Sequence, residues 1–229
     1  MKTGRSQTLL QDYVRNGSES AFAELVGDYI GLVYSTALRI VDGDSQLAED
    51  VTQMVFADLA RHARALKAEV MLGGWLHQRA CNVARPLMRS KRRRRARERE
   101  AVEMNALQDH TPGYFEEIAP VLDEAVTDLG VEDRQASLMR FFERRELRAV
   151  GEAMGTSEDA ARMRISRALE KLHSLLKHRG VSLSVGAIGM ALASETLTAA
   201  PAGLAAKVAA SVLAGAVGAG AARPEGHFR

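Results

Sequence analysis

Five side chains in the stretch TSEDAARMRISRALEKLH, residues 156–173, have types and spacing that suit DNA recognition. Arg162, Met163, Ser166, Arg167 and Lys171 fall on one side of a helix drawn through it. Guanidinium groups on such a face can reach phosphates and pair with guanine in a major groove. A second basic group is the run Lys91-Arg92-Arg93-Arg94-Arg95, with Arg97 and Arg99 beyond it. Such a run repels itself, and releasing its counterions onto a phosphate backbone favours nucleic-acid binding at low salt. It follows Trp75, His77, Gln78 and Asn82, an aromatic ring with polar neighbours, the combination used to hold single strands. Each feature has a plainer reading. The arginines of 156–173 could be solvated on a helical hairpin, a basic run is more often a solvated helix end, and Trp75 is more often core.

Catalytic chemistry finds little support. His77 and Cys81 are four apart, the spacing of a two-ligand metal clip. Cys81 is the chain's one cysteine and no matching second motif exists, so no metal is expected and the pair reads as structural or DNA-facing. No Gly-rich phosphate loop and no nucleophile–base pairing occurs. We expect no catalytic residue and no cofactor.

The elements that must carry these residues are helices. In 156–173 the stripe Ala161, Ile165, Ala168, Leu169, Leu172, continued by Leu176, opposes the basic face. Thr156 or Ser157 can cap its start, with Glu158 and Asp159 in the first turn. A short helix over 146–154, with Leu147, Val150 and Met154 on one side, closes at Gly155. Helix, glycine turn and basic helix make a helix-turn-helix pattern. Upstream, 6–15 reads as a first helix. Residues 20–41 form a long second helix with Phe22, Leu25, Val26, Tyr29, Val33, Ala37 and Ile40 mostly on one side. Asp44 or Ser45 caps a third helix. Its inner side holds Leu47, Val51, Met54, Val55, Asp58 and Leu59. Glu49, Asp50, Gln53 and Phe56 lie on or near the other side. An exposed Phe among carboxylates and a Gln suits a protein contact, against the plainer reading of a solvated face. A loop over 67–74 precedes a fourth helix from Trp75 to about Arg95, which Pro86 should kink or restart.

Composition narrows the class. The chain has 229 residues, room for two small domains, and 46% hydrophobic content, which excludes general disorder. Aromatic content of 5% and the lack of strand-like alternation favour an all-α fold. The net charge of +2 means that basic charge is local. A single cysteine and an opening segment without the apolar core of a secretory signal lead us to expect a cytoplasmic protein.

As a set, AEDVTQMVF, then GWLHQRACNVA before the basic run, then a polar linker and DRQASLMRFFERRELRAVGEAMGTSEDAARMRISRALEKL resemble the extracytoplasmic-function (group IV, sigma-70 family) sigma factors of bacterial RNA polymerase. The resemblance spans residues 6–179. It implies two small helical domains, sigma region 2 at 6–97 and sigma region 4 at 119–179, joined by a linker at 98–118. It implies a non-enzymatic subunit that binds core RNA polymerase through the clamp helices and flap, directs it to promoter DNA and assists opening. Carried across by position, the polymerase contact falls on Asp50 and Gln53, with Glu49 and Phe56 beside them. The downstream (−10) element falls to Trp75 and the loop before it, to His77, Gln78 and Asn82, and to Arg92 and Arg93. The upstream (−35) element falls to Arg162, Met163, Ser166 and Arg167, with Lys171 alongside. A further implied partner is an anti-sigma factor masking these faces. The sequence departs from the family at Pro86, where an acidic residue is usual, and in the more apolar loop 67–72.

Residues 180–229 lie outside the resemblance. This Ala/Gly-rich extension is broken by Glu195, Pro201 and Lys207 into segments too short for a membrane span of about twenty residues. We expect a helical or disordered extension in preference to a membrane contact, with a regulatory role in cis as a hypothesis. The alternative to a sigma factor is a stand-alone helix-turn-helix regulator that never binds polymerase.

Overall fold

Capping and apolar spacing produce the helices where the sequence suggests. The computed structural model describes residues 2–66, 70–100, 114–194 and 199–220. These form α1 (Lys2–Asn16), α2 (Glu19–Ile40), α3 (Ser45–His62), α4 (Leu72–Glu100), α5 (Tyr114–Asp128), α6 (Val131–Ser137), α7 (Leu147–Ala153), α8 (Glu158–His178), α9 (Val185–Ser194) and α10 (Leu204–Gly220). The fold is all-α, with no strand among the described residues. Ser18 caps α2 by accepting from the Ala21 N–H at 3.2 Å, and Asp44 caps α3 by accepting from the Leu47 N–H at 3.0 Å. Each cap satisfies a donor that the helix start leaves open.

The hub is α2, against which α1, α3, α4, α5 and α10 all pack. Its seven expected core residues are buried, and so are Leu32, Tyr34, Ser35 and Thr36 on its other sides. A helix with neighbours all round buries more than one stripe. Burial of side chains such as Phe22, Leu25 and Phe56 contributes roughly 1.5–3 kcal/mol each. Ser6 on α1 hydrogen-bonds the buried Tyr29 hydroxyl at 2.9 Å, and burial pushes the Tyr29 phenol up to about 12.

Pro86 does not interrupt α4, which runs unbroken from Leu72 to Glu100. Proline offers no N–H to the Asn82 carbonyl, but both residues are exposed, so water can serve that oxygen. Helix extends into both ends of the expected linker at 98–118, and its middle, 101–113, lies outside the described residues. α6 runs directly into a π-turn at Leu138–Phe142.

The helix-turn-helix is α7 and α8 over a small core of Ala136, Met139, Val150, Ala161 and Ile165. Ser157 caps α8 by accepting from the Ala160 N–H at 3.2 Å. Gly155 takes φ +66°, and the Thr156 N–H returns to the Gly151 carbonyl at 2.8 Å. The turn presses so close to α7 that a Cβ on Gly151 would lie 2.9 Å from backbone atoms of Thr156 and Ser157.

The tail is helical. α9 packs on α8 and on the π-turn, with Ile188 and Leu192 buried, and α10 lies along α2 and α3. No helix among the described residues is long and apolar enough to cross a membrane.

Gly151→Ala should force the turn off α7 and lower stability by about 1–3 kcal/mol. Urea denaturation monitored by circular dichroism checks this; a change below half a kcal/mol would mean that the turn yields without cost.

Candidate nucleic-acid and protein interfaces

The most open of the expected faces is on α8. Ala161, Ile165, Ala168, Leu172 and Leu176 are buried, Leu169 is half-buried, and Arg162, Met163, Ser166, Arg167 and Lys171 are all exposed. Met163 is 57% exposed and is the one large apolar side chain among these five. Arg162 is steadied by Glu158 one turn earlier at 3.0 Å, and Lys171 pairs with Asp133 of α6. The Arg162–Glu158 pair is exposed, as is the lysine side of Lys171–Asp133, so both hold geometry more than stability.

The face on α3 differs from the expectation. Asp50 is exposed, Glu49 and Gln53 are half-buried, and Phe56 is fully buried. Phe56 is therefore a core residue and not an exposed contact. Met54, expected inside, is 45% exposed. The reason is that α3 is flanked by α2, α4 and α10. Its buried arc rotates to the row Ala48, Thr52, Val55, Phe56 and Leu59, with Val51 alongside. Glu49 and Gln53 are half-covered because α10 lies over them: Gln53 Nε2 donates to Ser211 Oγ at 2.9 Å, and Lys207 Nζ sits 3.5 Å from Glu49 Oε2.

The downstream set is not brought to one surface. Among its described side chains only Asn82 is exposed. Trp75 is half-buried against the core, with the Arg79 guanidinium 5.7 Å over its ring. Gln78 accepts from Arg134 of α6 at 3.1 Å. Helix α4 begins at Leu72, so Gly73 and Gly74, expected in a loop, form its first turn, and that turn is closed over by the second half of the chain. A Cβ on Gly73 would meet Glu143 Oε1 at 2.9 Å, and one on Gly74 would meet Gln135 Cγ at 3.2 Å. The side chains of Arg92 and Arg93 lie outside the described residues.

His77 corrects the sequence reading most sharply. It is fully buried, so its ring is not offered to DNA in this arrangement. Its Nε2 lies 3.1 Å from Asp123 Oδ1 on α5, and Arg39 of α2 donates to both Asp123 oxygens at 2.7 and 3.0 Å. Cys81 Sγ is 4.0 Å from His77 Nδ1, so the pair expected to be structural or DNA-facing is structural. No cluster able to hold a metal ion occurs among the described residues. Burial alone would raise the Asp123 carboxyl, but Arg39 and His77 outweigh it and hold it well below the ordinary carboxylate range. Burial alone would lower His77, but the Cys81 sulfur and the Asp123 carboxylate outweigh it and hold the imidazole raised. Asp123 and Arg39 escaped the sequence reading because they are 84 residues apart. One signal existed: Asp123 is a carboxylate set inside the apolar stripe Ile118, Leu122, Val126, and such an acid requires a buried partner.

An exposed basic recognition helix over a tight glycine turn, joined to a second helical unit, defines a two-part helix-turn-helix DNA-binding protein. Two family models match: sigma-70 region 2 over residues 25–94, and sigma-70 region 4 over residues 129–174. The chain is similar to the RNA polymerase sigma factor CarQ of Myxococcus xanthus, 29% identical over 165 residues, which is 71% of this chain and 92% of that protein. Among solved structures it is similar to the sigma factor RpoE of Bartonella quintana, crystallised in complex with the anti-sigma factor NepR. That likeness covers 65% of this chain and 92% of that one, at 21% identity and a TM-score of 0.29, too low to bear on the arrangement seen here. The chain belongs to the sigma-70 family, among its extracytoplasmic-function sigma factors. As an RNA polymerase sigma factor it directs promoter-specific transcription; sigma factors are in general non-enzymatic subunits.

Asp123→Ala leaves the buried His77 and the part-buried Arg39 uncompensated and should cost about 3–5 kcal/mol. The lowered Asp123 contributes fully above its unfolded pKa of about 4, and that contribution drains as the pH falls further. The raised His77 contributes fully below its unfolded pKa of about 6.5, and that contribution drains as the pH rises toward its folded value. The gap between wild type and Asp123→Ala in urea denaturation should therefore be widest between pH about 4 and 6.5. A gap independent of pH would exclude this linkage.

Proposed function

We propose that the exposed face of α8 reads the upstream promoter element, through Arg162, Met163, Ser166, Arg167 and Lys171. The same reading gives Asp50, Gln53 and Glu49 on α3 the contact with core polymerase. It treats 6–97 and 119–179 as the two working domains, 98–118 as their linker and 180–229 as an extension. The observation that carries it is the division of α8: its apolar stripe is buried while its five expected contacts, four polar or basic side chains and Met163, remain exposed. Phe56 supports the polymerase contact from beneath, as a buried brace for α3. The downstream element is met by Asn82 and Trp75, with the basic run of α4 following the backbone. His77 acts there as a positioning residue for α4. Reading the downstream element then requires the second half to part from the first turn of α4, which breaks the Gln78–Arg134 and His77–Asp123 contacts. The chain works in the cytoplasm and has no catalytic step of its own. An anti-sigma factor covering these faces is the further partner that the family implies.

A pull-down with core polymerase separates this reading from a stand-alone regulator, which would not be retained. Asp50→Ala should weaken core binding by about 1–2 kcal/mol and leave binding to naked DNA unchanged. Equal core affinity would remove Asp50 from the contact. Arg167→Ala should cost about 1–3 kcal/mol of discrimination at one upstream base pair, without altering polymerase affinity. Run-off transcription from a promoter library reads it, and an unchanged preference would sink the role.

A further inference from the structure

The tail is seated on the working surface of α3. Leu204, Val208, Ala209 and Val212 fall on one face of α10 and are buried in the main core, against α2 and α3. Along one flank, two rows four residues apart meet in register. Lys207 faces Glu49 and Ser211 faces Gln53, so the i and i+4 positions of α10 pair with the i and i+4 positions of α3. The match crosses 158 residues of sequence. α9 is moored separately, on the second half. Ile188 and Leu192 are buried there, and the His173 ring lies 2.7 Å, by Nδ1, from the Leu183 carbonyl oxygen. α10 can therefore leave α3 while α9 stays in place.

Resting on the polymerase contact proposed above, we infer that α10 is a built-in occupant of that contact surface. Core polymerase and α10 compete for the side of α3 that carries Glu49 and Gln53. The apolar seat holds the helix down, because the Lys207–Glu49 pair is exposed on the lysine side and is screened by salt. The pair and the Gln53–Ser211 bond set its register. Asp50 remains exposed at the edge of the covered face, the part that polymerase can touch before α10 lifts.

The test uses the full chain. Leu204→Asp with Val208→Asp places two carboxylates in the apolar seat and should release α10. Hydrogen exchange should then rise in α10 while α2 and α3 keep their protection. An occluded share of about 90–99% in the native chain predicts that the double variant binds core polymerase about 10- to 100-fold more tightly. A peptide of residues 201–220 added in trans should reverse that gain. Lys207→Glu, a surface change that leaves the fold intact, should tighten binding by at most about fivefold. Unchanged exchange in α10 of the double variant would overturn the seating. Equal polymerase affinity with α10 released would overturn the competition and leave the polymerase contact standing. If neither form binds core polymerase, the contact assignment falls and the inference falls with it.

Discussion

A carboxylate cut off from water holds the two halves together. Asp123 of α5 is almost fully buried, between the Arg39 guanidinium of α2 and the His77 ring of α4. Burying one ion without partners costs several kcal/mol, so the site is tolerable only when all three groups meet. That condition fixes α5 against α2 and α4, and with it the placement of everything that follows α5. Arg179 at the end of α8 returns to Asp128 of α5, so the recognition helix is tied to the same element.

The consequence is an uneven exposure of the working faces. The α8 face is open. The first turn of α4, at Gly73 and Gly74, is closed by Gln135, Leu138 and Glu143 from the second half. Two of the four expected polymerase contacts on α3 are half-covered by α10. Of the three faces proposed for polymerase and the two promoter elements, this arrangement presents only the α8 face freely. The chain's own second half and tail cover the two faces proposed for the downstream element and for polymerase, with contacts of different strength. The Asp123 cluster is buried and charged, hence strong only while intact. The α10 seat is made of small apolar side chains and an exposed ion pair, hence weaker and easier to displace.

The difference between α3 and α8 also shows how far helical periodicity reaches. On α8, one side packs and the other faces solvent, so the period of the apolar residues alone sorted inside from outside. On α3, three neighbours crowd the helix, the buried arc widens and turns, and Phe56 moves inward while Met54 moves out. Nothing in AEDVTQMVF signals how many neighbours the helix will have.

What the sequence determined by itself was local. Caps at Ser18, Asp44 and Ser157, the positive φ of Gly155 and the apolar stripes settled where the main helices begin and which face of α8 is free. Those choices depend on interactions within a few residues along the chain. The tertiary structure decided which polar groups would be buried and which faces would be covered. His77 became a core residue because Asp123, 46 positions away, required a partner. The tail became a cover for α3 because its small apolar face found a matching surface 158 positions back. Such pairings arise only when distant segments are folded together, and no local spacing encodes them.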